Sequence, residues 1–178
     1  LFRSYYRHFM NVRFKYSTYF AAGVYYADAY IVNNYRVTIS FLTGTEDPED
    51  QNIGLERIKY FIHNRLASSV FIDQSNQTQC QLFTSAHVPV TTLPLEPFDQ
   101  VIGIALYSKL NAILEDRMII TDIEISSDLG DNIWYLHSDE ESIGPFEEPG
   151  WWNEPDVSQC DTNFVIDDKV VALTRDKT

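Results

Sequence analysis

The chain has 178 residues, 44 % of them hydrophobic and 22 % charged, enough for one domain with a real core and too apolar for general disorder. Thirteen Lys and Arg stand against 26 Asp and Glu, a net charge of −13 that repels a nucleic-acid backbone. No apolar run approaches the roughly 18–20 residues of a membrane helix, so neither nucleic acid nor a membrane is expected as a partner.

Cys80 and Cys160 are too few for a disulfide framework or a thiolate zinc cluster. They suit a reducing compartment, and the protein is expected in the cytoplasm. Residues 1–9 read as an upstream extension, with Met10 as the native start.

From Met10 the period is two. Val12, Phe14, Tyr16, Thr18 and Phe20 alternate with Arg13, Lys15, Ser17 and Tyr19, which predicts a half-buried antiparallel strand. Tyr35, Val37, Ile39 and Phe41 predict a second one. The intervening residues 23–34 form a connection too long for a tight hairpin. Tyr and Phe crowd these first 41 residues. Core and subunit-interface packing is one reading of them, and a stacking surface for a flat ligand is the other.

The run from Thr45 to Asp50 breaks the strand and places negative charge where a helix N-terminus favours it. Leu55, Ile58, Phe61, Ile62 and Leu66 then recur at helical spacing, predicting a helix over residues 52–67. An irregular stretch follows, containing a short strand at Val70, Phe71 and Ile72. Residues 98–115 read as a second helix, with Val101, Ile104, Ala105, Ala112 and Ile113 among its apolar positions. Ile119, Thr121, Ile123 and Ile125 alternate with Ile120, Asp122 and Glu124 in a third strand, and residues 133–137 form a fourth after an Asp-Leu-Gly-Asp turn. The expected fold class is α+β, a four-stranded antiparallel sheet with two helices on one face.

From Ser138 the character changes, with 11 acidic residues against three basic ones. An acidic tail is usually solvated, but adjacent Trp151 and Trp152 are costly to expose and are expected to dock on their own domain or a neighbouring subunit.

Chemistry-bearing patterns are few. His8, His63, His87 and His137 have no zinc-like spacing, and a zinc site would need His87, His137 and a carboxylate to converge. No nucleophile elbow or phosphate-cradling glycine loop is present, and the acidic pairs read as solvated loop residues. Glu124 stands apart. It lies in mid-strand with Asp122 on the same face and isoleucines on the other. It can project into solvent or accept two N–H donors from a flat heterocycle.

The order strand, strand, helix, helix, strand, strand resembles the unit of the tunnelling fold. Within it the chain is similar to the 6-pyruvoyl-tetrahydropterin synthase and 6-carboxytetrahydropterin synthase family over residues 12–137. Phe20-Ala21-Ala22-Gly23 resembles the Phe-x-Ala-Ala-His that ends the family's first strand. Asn33-Asn34-Tyr35-Arg36-Val37 resembles the His-Asn-Tyr-Arg-Val that opens its second. Ile123-Glu124-Ile125 with Trp134-Tyr135 resembles its third and fourth strands, and Pro97-Phe98-Asp99-Gln100 the start of its second helix.

The resemblance implies a tunnelling-fold domain over residues 10–137 that assembles into an oligomeric barrel, followed by an acidic tail over 138–178. It implies Glu124 as the ligand-binding residue for a pterin or purine-like heterocycle, in a pocket between subunits of a homo-oligomer. The three zinc-binding His of the family correspond here to Gly23, Ile31 and Asn33, and its catalytic Cys to Ala27. The Leu-Asp-His segment falls near Val70–Asp73 without the His. No metal or other cofactor is therefore expected, no catalytic residue is assigned, and the ordinary synthase reaction should be absent. Whether the protein only binds or runs an altered chemistry stays open at this stage. The alternative is an oligomeric scaffold with no small-molecule site.

Overall fold

A computed structural model describes residues 13–43, 47–138 and 144–157. Strands β1 (Arg13–Tyr26) and β2 (Ala29–Thr43) pair antiparallel along their whole length, from Arg13 opposite Leu42 to Tyr26 opposite Ala29. The expected long connection is therefore corrected to a two-residue turn. Ala27 and Asp28 both adopt left-handed φ, +49° and +60°, the twist that a two-residue hairpin requires. Neither residue is the glycine or asparagine that usually advertises such a turn.

Asp47 caps α1 (Pro48–Tyr60) by accepting a hydrogen bond from the Glu49 amide, and Glu49 and Asp50 lie in its first turn. The Glu49/Asp50 pair thus belongs to a helix rather than a loop. The helix continues as a π-helix over Phe61–Leu66. Ile58, Phe61, Ile62 and Leu66 are buried, as their spacing predicts.

The stretch that reads as irregular holds β3 (Val70–Asp73), α2 (Gln77–Ser85) and β4 (Val90–Leu93). The helix expected over residues 98–115 is α3 (Asp99–Leu114), which precedes β5 (Met118–Ser127) and β6 (Tyr135–Ser138).

The sheet has six strands in the order β4-β3-β1-β2-β5-β6, with β3 parallel to both β1 and β4. The four-stranded antiparallel expectation is corrected accordingly. β3 and β4 have four residues each, too short for an alternating pattern, and β4 is buried throughout. α2 has no fully buried side chain, so it carries no apolar stripe to mark it.

One face of the sheet packs on α1 and α3, through Phe20, Tyr35, Val37, Ile39, Ile123 and Ile125 among others. The pairing of β2 with β5 shifts between Ser40 and Phe41, where Thr121 is the extra residue of a bulge. The shift reverses the phase of β5. Ile120 is buried and Ile119 exposed, opposite to the continuous alternation with Ile123 and Ile125.

Short 3-10 turns at Gly144–Glu147 and Trp151–Asn153 lie against the helical layer. Both tryptophans are buried on their own domain, where Trp151 Nε1 donates to the Thr92 carbonyl at 2.7 Å. Lys109 of α3 is fully buried beneath them. It donates to the carbonyls of Trp151, Glu154 and Asp156 at 3.0, 2.7 and 2.9 Å. The expected upstream extension and the acidic tail from 158 onward lie outside the described residues. Among those described, no helix is long and apolar enough to cross a membrane.

Candidate functional site

The β1–β2 hairpin is longer than the helical layer that covers it. Its turn end therefore overhangs the start of α3, and the residues that would meet a helix further along instead line a cavity of about 310 Å³. Val24, Tyr26, Ile31, Asn33 and Tyr35 come from the hairpin; Pro97, Phe98, Asp99 and Gln100 lead into α3. Leu129 and Gly130 come from the turn after β5, and Tyr135 from β6.

Asp99 is the charged group of this cavity. It sits in the first turn of α3 and is only 8 % exposed. Ser127 Oγ lies 2.9 and 2.7 Å from its two carboxylate oxygens and accepts in turn from the Gly130 amide at 3.0 Å. That amide takes up a lone pair of the hydroxyl and so directs its proton toward the carboxylate. A Cβ at position 130 would lie 2.4 Å from Asp99 Oδ2, so the absence of a side chain there is what admits the carboxylate. Burial pushes the Asp99 carboxyl above the usual carboxylate range, against the pull of the Ser127 hydrogen bond.

Asn33 and Tyr35 form the floor. Asn33 is nearly inaccessible and its Oδ1 accepts from the Leu129 amide at 3.1 Å, tying the turn to β2. Tyr35 is fully buried, and its hydroxyl has no hydrogen-bond partner among the described residues. Burial raises this phenol well above its usual range, and the Asp99 charge adds to the rise. Tyr26 and Phe98 meet edge to face at 5.2 Å and form an aromatic corner of the cavity.

Glu124 does not line this cavity. It lies on the open face of the sheet, opposite Thr38 on β2 and Leu136 on β6, while Ile123 and Ile125 enter the core. Its Oε1 accepts from Lys15 Nζ at 3.1 Å in a pair exposed to solvent. A second, shallower cavity of about 290 Å³ lies on that face, bordered by Ser17, Tyr19, Arg36, Thr38 and Trp134.

The positions that the resemblance assigns to zinc do not fit a metal. Ile31 and Asn33 line the cavity, but a Cβ at Gly23 would strike the Tyr30 ring, on the other side of the sheet from Ile31. None of the three carries an imidazole, thiolate or carboxylate. Among the described residues no group of His, Cys, Asp and Glu could hold a metal ion. His63 instead contacts the Thr18 hydroxyl at 3.1 Å, His137 packs edge-on against Tyr107, and His87 sits in a loop with φ +59°.

The signal that sequence reasoning passed over is Asp99. An acidic residue at a helix start is so common a complement to the helix dipole that it marks nothing alone.

No family model and no curated protein matches the chain. Among solved structures, its fold is similar to a catalytic-residue mutant of 6-pyruvoyltetrahydropterin synthase from Plasmodium vivax. The TM-score is 0.45 at 9 % identity, covering 71 % of this chain and 96 % of that one. It is also similar to 6-pyruvoyl tetrahydropterin synthase from Plasmodium falciparum, with TM-score 0.42 at 14 % identity over 71 % of this chain and 98 % of that one.

Proposed function

We propose that this chain binds a flat, pterin- or purine-like heterocycle in the cavity at the hairpin end, without the ordinary synthase reaction of the family its motifs resemble. The observation that carries the reading is Asp99, a buried carboxylate held by one hydroxyl among aromatic walls. A flat ring gains apolar contact from Tyr26, Phe98 and Tyr135, and adjacent ring N–H groups reach the two carboxylate oxygens as charge-assisted hydrogen bonds. The synthase reaction is absent on this reading because Gly23, Ile31 and Asn33 offer no ligand set for zinc and Ala27 offers no thiol. A homo-oligomer belongs to the same reading, since Tyr19, Trp134 and Leu136 stand exposed on an open sheet face that a second copy would cover.

Isothermal titration with neopterin, 7,8-dihydroneopterin and guanine tests it. The native protein should bind at least one of them saturably, and Asp99→Asn should weaken that binding by about tenfold or more, the worth of a charged hydrogen bond. Glu124→Ala should leave it unchanged. Loss of binding in Glu124→Ala alone would move the site to the open sheet face. No binding of any of the three by folded protein would leave the oligomeric scaffold.

A further inference from the structure

We propose that this cavity selects an organic cation, an amidinium, guanidinium or ammonium group on a compact ligand, over a neutral molecule of the same shape. The inference rests on the cavity being a ligand site and names the charge its ligand should carry.

Three observations converge on it. None of the lining residues is Lys, Arg or His, so the site contains a negative charge and no positive one. Ser127 has one proton to share between the two carboxylate oxygens, and Asp99 takes part in none of the ion pairs among the described residues. The start of α3 and one hydroxyl compensate this buried carboxylate only in part, so it gains from a cation brought to it. Finally, the walls present aromatic rings, with Tyr26 and Phe98 set at 61° to each other, and the negative faces of such rings attract a cation in the desolvated space between them. A neutral ring fills the apolar walls and can hydrogen-bond the carboxylate but brings no charge to balance it; a cation does all three. The chain's net charge of −13 adds a long-range bias of the same sign.

The test uses benzamidine, which is charged at neutral pH, against benzamide, its neutral counterpart of nearly the same shape. Both are titrated calorimetrically into the full chain at low and at moderate salt. The native protein should bind benzamidine saturably, about tenfold or more tighter than benzamide. Asp99→Asn should abolish that preference, and Phe98→Leu should weaken benzamidine several-fold while keeping the preference. Equal affinity for the two probes, or a preference that survives Asp99→Asn, would overturn the proposal. So would binding of guanine or neopterin without benzamidine, which leaves the heterocycle reading standing. Benzamidine binding with none of the three heterocycles would support cation selection and remove the heterocycle. A folded protein that binds nothing overturns both.

Discussion

Replacing Lys109 by Met removes a fully buried charge while keeping its apolar stem. In the native protein the ammonium meets three backbone carbonyls at 2.7–3.0 Å and lies 5.6 Å from the Phe61 ring centre and 6.0 Å from that of Trp151. Each charge-assisted hydrogen bond contributes at most about 1.5–3 kcal/mol. Glu154 and Asp156 are exposed, so their carbonyls regain water in the variant, whereas the buried Trp151 carbonyl keeps only the Glu154 amide at 3.3 Å. Relief from burying an ammonium offsets part of the loss. The net expectation is a destabilisation of about 2–4 kcal/mol, which for a chain of this size lowers Tm by roughly 5–15 °C. Urea unfolding followed by far-UV circular dichroism measures the cost, and the near-UV signal of the tryptophans reports whether residues 144–157 detach. Because Lys109 and Trp151 are in contact, Lys109→Met and Trp151→Ala should be less costly together than the sum of the two alone. A loss under about 0.5 kcal/mol with an unchanged near-UV spectrum would refute the idea that this lysine fastens the segment.

Three further outcomes follow from the geometry. Ala27→Asn places a residue tolerant of left-handed φ at the first turn position and should stabilise the hairpin by about 0.5–1 kcal/mol, read as a raised urea midpoint; a lowered midpoint would contradict the turn geometry. Gly130→Ala would put a Cβ 2.4 Å from the Asp99 carboxylate and 3.3 Å from Ser127 Oγ. It should destabilise by about 1–3 kcal/mol and weaken any cavity ligand. For Asp99, whose carboxyl is raised in the folded state, stability is greatest below its ordinary value near 3.8 and declines as pH rises through the raised one. Asp99→Asn removes that decline, so urea midpoints should favour the variant more at pH 7 than at pH 4. A difference independent of pH would show that burial does not penalise this carboxylate.

Periodicity made the long elements legible. The phase of β1 and β2 predicts which side of the hairpin enters the core, and the spacing from Leu55 to Leu66 predicts the face that α1 and its π-helical continuation bury. Glu124 reads as facing away from Ile123 and Ile125, and it does. Failures occur where a local pattern is too short or is interrupted. Four-residue strands show no alternation, α2 has no fully buried side chain, and the bulge at Thr121 breaks the phase of β5. Lys109 lies four residues after Ala105 and three before Ala112, on the apolar stripe of α3, and that spacing was the available sign of its burial.

What the sequence by itself determined is the alternation of its strands and the apolar faces of its helices. These are properties of neighbouring residues, set by backbone geometry and side-chain chemistry. Only the tertiary structure decided that the sheet has six strands, that the hairpin overhangs its helices and that Asp99 carries the charge of the resulting cavity. Asn33, Asp99, Ser127 and Gly130 come from three separate parts of the chain. The burial that raises Asp99, the hydroxyl that holds it and the rings that surround it exist only once those parts are brought within a few ångströms, because desolvation and Coulomb interaction depend on distance in space and not along the chain.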